Sequence, residues 1–512
     1  MISFITGIAV LLAGYIFYGR LAEKVFAVDP HRLTPAARVN DGVDFVEMDW
    51  KRALLIQFLN IAGTGPIFGA ITGAYFGPAA YVWIVLGSIF AGAVHDFMCG
   101  MISVRNGGAS VSEIVGKYLG KIPLYIMRIF SVLLLVLVGA VFIYTPAHVL
   151  ELLIRPGSRT VYVVCLVLII GYYVLAAVLP IDKFIGRIYP IFGAALIVMG
   201  LSLVFALFIT GEIRNVPELT FENLNPGVFR GGKFVRTLMT THVFPFVLVT
   251  IACGAISGFH ATQSPMIARC LKNETEGRRV FYGAMILEGI VAMIWATVAM
   301  AHFHPEIPVN PADMRGLVQA GSPAVVVTKS SGDLLGIVGG ILAVLGVIAC
   351  PLSSGDTAFR SARLILADSL RFDQRPLKNR FAIAVPLFAA GTGLVVFAAL
   401  DAANFNIIWR YFAWSNQTLA AIVLWAECAY LAKAGRPYLI VLIPAAFMTM
   451  VVSSYFVSAD ECLGPVITRI SGSIEAVYAV GIFLGLALAL VLTMFFAVYV
   501  GTGQKGVLRD EG

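Results

Sequence analysis

The chain is 512 residues long, 59% hydrophobic and only 13% charged, with a formal net charge of +7. Ordinary soluble domains carry about 25% charged residues, so this composition excludes the usual soluble enzyme or nucleic-acid-binding protein. Many windows of 20 or more residues are nearly free of charge, the length that crosses a hydrocarbon core of about 30 Å, and the chain reads as a polytopic protein whose solvent is the bilayer.

The hydropathy pattern predicts thirteen spans, at 2–26, 53–75, 79–102, 124–147, 160–181, 187–211, 238–268, 280–303, 332–358, 380–400, 405–431, 437–457 and 474–499. Residues 1–19 hold no basic stretch, and Arg20 and Lys24 follow the apolar run, which predicts a retained first helix rather than a cleaved signal peptide. An odd number of spans puts the termini on opposite faces. Of the 36 lysines and arginines, 26 fall with the loops near 20–52, 105–128, 183–187, 269–279, 360–380 and 433–436 and with the C-terminal tail. Nine fall on the other side, and Arg410 lies within a span. The positive-inside rule therefore predicts an outside N-terminus and a cytoplasmic C-terminus in the inner membrane of a prokaryote. The net charge thus reports topology rather than an anionic partner, and no nucleic acid is expected. The seven cysteines show no CxxC or Cys/His spacing and read as free thiols, so no metal or organic cofactor is expected.

Two of these spans are broken where a membrane helix should run on. The first reads Asn60-Ile61-Ala62-Gly63-Thr64-Gly65-Pro66; the second runs from Cys253-Gly254 through Ser257-Gly258-Phe259-His260-Ala261-Thr262 to Pro265. Non-helical backbone survives at membrane depth only where protein or a water-filled cavity supplies hydrogen-bond partners, and a pair of interrupted helices points to the binding site of a secondary transporter. With the first span and the last two set aside, ten remain. The breaks fall in the first and sixth of these, which run in opposite directions. That is the five-plus-five inverted-repeat plan. The expected divisions are a peripheral helix and loop at 1–52, a first repeat over 53–211, an outside loop at 212–237, a second repeat over 238–431, and two closing helices with a short tail at 432–512. Half-helix N-termini suit a carboxylate and half-helix C-termini a cation. Asn60, Gly63, Thr64 and Gly65 are therefore candidates to line a substrate, with Gly254, Ser257, Gly258, His260 and Thr262 facing them. Gly65, Gly69, Gly73 and Gly77 recur every four residues, and packing is the better reading of the last three.

Ionisable groups at membrane depth are costly and functional by default. His95, Asp96, Glu288 and Asp356 fall well inside apolar spans, and Arg410 lies near the outer start of one. Asp96 or Glu288 could equally lock helices through a buried partner, and Arg410 could reach the interface. Ser353 and Ser354 could simply bond back to their own helix.

Several segments together resemble the carbon starvation protein A family. They are Ile61–Pro66, Gly92-Ala93-Val94-His95-Asp96, Cys253–His260, Tyr282-Gly283-Ala284-Met285 with Glu288, Leu352-Ser353-Ser354 with Asp356, and Thr34-Pro35-Ala36 with Asn40–Asp44. The resemblance covers most of residues 10–430. The chain departs from it in a shorter C-terminal end and in Gln57-Phe58, where a histidine-containing approach is expected. The resemblance implies membership of the amino acid–polyamine–organocation superfamily and hence an all-α, LeuT-like bundle. It also implies import of peptides, or of pyruvate as in some proton-driven enteric relatives. In sodium-coupled relatives, hydroxyls on the eighth core helix meet carbonyls at the first break, which places Ser353 and Ser354 with Ala62 and Gly65 at a cation site. A proton would instead use His95, Asp96, His260, Glu288 or Asp356; both ions fit the residues. Arg410 is kept as a substrate-binding candidate. The expected activity is ion-coupled alternating access for a small carboxylated nutrient, with no catalysis. The rivals are an ion channel and an intramembrane metal-dependent enzyme, although HExxH, GxSxG and GxxxxGK[ST] sequences are all missing.

Overall fold

The computed structural model describes residues 1–41, 45–178, 182–220, 228–230, 233–235, 243–302, 323–370, 372 and 376–510. Of these, 175–178, 182–191, 228–230, 233–235, 345, 349, 353, 356, 368, 377, 402, 403, 474 and 502–510 are described by backbone alone. The described chain is a helical bundle, with one short ribbon pairing Val228–Arg230 and Lys233–Val235.

Its principal helices in chain order are α1 (Ile2–Phe26), α2 (Trp50–Ile61), α3 (Gly65–Gly73), α4 (Ala79–Arg105), α5 (Lys121–Ile154), α6 (Arg159–Val178), α7 (Asp182–Thr210) and α8 (Val243–Thr250). There follow α9 (Gly258–Ala268), α10 (Gly283–His302), α11 (Pro323–Ala343), α12 (Ala349–Leu370), α13 (Leu377–Leu400), α14 (Ala402–Lys433), α15 (Leu439–Ser458) and α16 (Ile474–Asp510). Among the described residues nine helices are long and apolar enough to cross a membrane, and α2 with α3, bent by 52°, forms a tenth such unit. The expected spans at 160–181, 238–268 and 405–431 fall outside that group. The first gives only a shorter apolar helix, Arg159–Val174, the second is divided into the short α8 and α9, and the third, within α14, carries Asn406, Arg410, Ser415, Asn416, Gln417 and Glu427. The span expected at 332–358 is drawn differently. Helix α11 begins at Pro323 and is interrupted at Gly336 (φ +57), and α12 runs on to Leu370. A π-type turn at Val344–Ile348 joins them; Pro351 cannot donate to the carbonyl four residues earlier, which loosens the ladder there.

Local chemistry sets the starts of the two halves of the first broken helix. The Asp49 carboxylate accepts from the Lys51 N–H at the start of α2, and Pro66 stands in the first turn of α3, where a missing N–H costs nothing. The broken elements meet in the centre of the bundle. A methyl on Gly65 would lie 2.3 Å from Cys253 Cβ, one on Gly69 3.1 Å from the Thr250 carbonyl oxygen, and one on Gly73 2.4 Å from Ile251 Cδ1. The glycine stripe is thus a packing face that seats α3 against the end of α8. Gly77 does not belong to it: no atom lies within 4 Å of its would-be methyl, and its φ of +63 marks a turn. Gly92, the last residue of the π-type turn of α4 (Gly87–Gly92), admits the Ala255 carbonyl, which would lie 2.2 Å from a methyl there.

Candidate functional site

Four ionisable side chains from three helices meet beside the breaks, all fully buried. His95 and Asp96 stand on α4, one turn beyond its π-type turn. His260 is the third residue of α9, and Glu288 lies on α10. His95 Nδ1 is 2.8 Å from Asp96 Oδ1, and His260 Nδ1 is 2.8 Å from Asp96 Oδ2. A carboxylate only accepts, so each histidine presents a protonated Nδ1 to Asp96. His260 Nε2 then faces Glu288 Oε2 at 3.2 Å, an ion-pair distance at which neither atom completes an aligned hydrogen bond. Two lone pairs would oppose one another unless a proton resides on one of these groups. It stands either on His260, as an imidazolium between two carboxylates, or on Glu288 as the acid. The four groups form a chain rather than a ring; among the described residues no three His, Cys, Asp or Glu side chains are arranged to hold a metal ion.

The second break is finished by side chains from elsewhere. Asn416 Oδ1 accepts from the Phe259 N–H at 2.7 Å and the Ser257 hydroxyl at 3.1 Å. The Leu248 carbonyl accepts from Trp83 Nε1 and Gln417 Nε2, the Ile251 carbonyl from Trp83 Nε1, and the Gly254 carbonyl from the Ser88 hydroxyl. Gly258 is pressed on α14, a methyl there coming within 2.5 Å of the Asn416 carbonyl oxygen. Thr262 donates to the Phe259 carbonyl at 2.7 Å. Gly254, Ser257, Gly258 and Thr262, expected to face substrate, are therefore occupied in holding this break together. Backbone groups at membrane depth must be satisfied, and here protein satisfies them.

The first break differs. Buried Gln57 Oε1, Asn60 Oδ1 and Thr64 Oγ1 have no hydrogen-bond partner among the described residues, nor has Gln263 Oε1 on α9. Gly63 lies under the ring of Phe142 from α5, 2.5 Å from a would-be methyl, and Phe142 packs edge-on against Phe259 with ring centroids 6.2 Å apart. From α12, the Cys350 thiol meets the Ala62 carbonyl oxygen at 2.7 Å, and the Ser354 hydroxyl donates to the Leu59 carbonyl at 3.1 Å. Ser354 thus reaches the C-terminal end of α2. The side chains of Ser353 and Asp356 lie outside the described residues.

Arg410, the remaining substrate-binding candidate, stands apart from the breaks. Its side chain is 48% exposed, and its Nε stands 3.3 Å from Glu461, whose other contacts are with Tyr411 and Tyr455. It lies more than one turn from Asn416 and is held near the surface by Glu461, in the loop that follows α15. Sequence reasoning also missed Asn416, Gln417, Ser88 and Trp83, which close the second break. The Asn416-Gln417 pair in an apolar helix was the available signal.

With this geometry in view, comparison with known proteins is informative. The family described as "Carbon starvation protein CstA" matches residues 1–176, 158–331 and 320–454. The chain belongs to that family. A membrane protein of Haemophilus influenzae is 41% identical over 63% of this chain and 95% of its own length. The "Peptide transporter CstA" of Escherichia coli K12 is 27% identical, covering 87% of this chain and 79% of that one. The "Pyruvate/proton symporter BtsT" of the same organism is 30% identical over 59% of this chain and 49% of that one. Among solved structures, the Eremococcus coleocola manganese transporter superposes with a TM-score of 0.52 over 90% of this chain and 99% of its own, at 13% identity, a likeness of fold. This CstA-family chain is thus a multi-pass, helical membrane protein whose named relatives are transporters.

Proposed function

We propose that this protein is a secondary active importer that couples entry of a small carboxylated nutrient, a short peptide or a pyruvate-like acid, to entry of a proton. The observation that carries this reading is the contact between His260 and Glu288, which needs one proton and lies beside the second break. His260 belongs to the half-helix that begins at the second break, so loading or emptying that proton acts directly on that broken helix. Substrate would be taken at the first break, by the unspent polar atoms of Gln57, Asn60, Thr64 and Gln263 and by the first-turn N–H groups of α3.

The breaks open oppositely directed sets of five helices, 53–211 and 238–431, and rocking of one set against the other would expose the site to each face in turn. The N-terminus would then be outside, thirteen segments would cross the membrane, and induction on carbon starvation would follow the family. Sodium is the second reading, favoured by Ser354 and the carbonyls of Leu59 and Ala62. Those carbonyls already accept from Ser354 and Cys350, which favours the proton.

Reconstituted protein should accumulate labelled pyruvate or a di- or tripeptide when the outside is made acidic, with no response to a sodium gradient. Equal uptake with and without the pH gradient would remove proton coupling, and no uptake of any of these substrates would remove the importer reading.

A further inference from the structure

Glu427 on α14 is fully buried, and neither carboxyl oxygen has a hydrogen-bond partner among the described residues. It stands eleven residues after Asn416, three turns or about 16 Å along the same helix face. Its helix packs on α4 here: Tyr430, one turn beyond Glu427, meets Arg105 of α4, which lies nine residues beyond Asp96. Cys99 is one turn beyond Asp96, and its thiol points at the Ala261 carbonyl of α9 at 3.9 Å. Glu427 thus lies between the level of the second break, where Asn416 meets Phe259, and the Tyr430–Arg105 contact, toward the face that carries the basic loops.

Beyond it that face is plugged. Tyr430, one turn further on α14, accepts from Arg105 Nη1 at 3.2 Å and stacks on Phe26 at 5.7 Å; Tyr118 packs on its edge. Arg105 is itself held by buried Glu274, at 3.1 and 3.0 Å, and by the carbonyls of Phe26 and Ala27. Arg105 therefore serves Glu274 and Tyr430. An ionised carboxylate without partners in such a place is strongly disfavoured, a burden the neutral acid escapes.

We propose that Glu427 is a second proton-binding site, the station between the central His260–Glu288 pair and the basic face, closed off by the Tyr430–Arg105–Glu274 plug. The proposal rests on the proton-coupled reading above. When the plug opens, the Glu427 O–H bond breaks and its proton passes to entering water. The carboxylate left behind is reloaded through water by the proton that leaves the His260–Glu288 pair.

The test is infrared difference spectroscopy on the reconstituted full chain, with transport in the same vesicles. Wild type should show a protonated-carboxyl stretch, shifted in D2O, that is lost in E427Q and restored in E427D. E427Q should lose at least about tenfold in pH-driven accumulation while keeping substrate counterflow, which needs no net proton movement. A carboxyl band unchanged in E427Q, or full pH-driven accumulation by E427Q, overturns the proposal. If E427Q failed to fold, E427D carries the test: unaltered position of the band would overturn it. Loss of pH-driven uptake in wild type itself would instead overturn the coupling reading, and the band assignment would still be decided.

Discussion

The two helix breaks touch through Gly65 and Cys253, yet they are finished by opposite means. At the second, Asn416, Gln417, Ser88 and Trp83 hydrogen-bond to the exposed backbone groups. At the first, Gln57, Asn60 and Thr64 keep bare polar atoms in a fully closed site. A broken membrane helix is therefore not a ligand site by virtue of being broken. The break whose polar atoms are unspent has something to offer a substrate, and the one tied down by side chains supplies the fixed surface it works against.

The largest expected effect lies at the proton that joins the breaks to α10. Glu288→Gln or His260→Ala should lower pH-driven uptake by about 100-fold or more, in keeping with the loss of an essential acid–base group. Counterflow should persist in Glu288→Gln; if both activities fell together, the group would bind substrate rather than the driving ion.

Next comes the tied break. Asn416→Ala leaves the Phe259 N–H and the Ser257 hydroxyl without their acceptor, which should cost about 1–3 kcal/mol per orphaned group. A thermal unfolding scan in detergent should show a clearly lowered midpoint. An unchanged midpoint would mean that Asn416 does not hold the break.

The first break, whose polar atoms are unspent, should respond in the reverse manner. Thr64→Val and Asn60→Ala remove polar atoms that have no partner, so stability should hold or rise by up to about 1 kcal/mol. KM for the transported acid or peptide should rise about tenfold, the worth of roughly one hydrogen bond. A fall in stability with KM untouched would make the two breaks alike and end the distinction.

The smallest effect is expected far from both. Arg410→Ala removes an exposed pair with Glu461, and such pairs are worth about 0–1 kcal/mol, so uptake should change less than about twofold. A large loss of substrate affinity would return Arg410 to the site.

How far the chain could be read in advance follows the same division. Gly63–Pro66 and Gly254–Pro265 announce themselves because glycine and proline act on their own backbone, whatever surrounds them. His95, Asp96, His260 and Glu288 stand out because a charge in an apolar run is conspicuous by itself. Their assembly into one chain was not legible, since α4, α9 and α10 meet only through packing. Glu427 carries the same mark in an apolar run, yet the sequence reading did not single it out. Its burial comes from neighbours that a linear reading cannot supply.

The sequence by itself determined the solvent, the helical class, the breaks and the family, because each rests on local composition or on a run of residues. Only the tertiary structure decided which break is spent, that Gly69 and Gly73 pack while Gly77 turns, and that Arg410 faces a loop acid instead of the centre. Those outcomes depend on which atoms distant segments bring within about 3 Å of one another, the reach of a hydrogen bond. Asn416 is the clearest case: its polarity shows in its own helix, but not that it completes the start of another, 157 residues away in the chain.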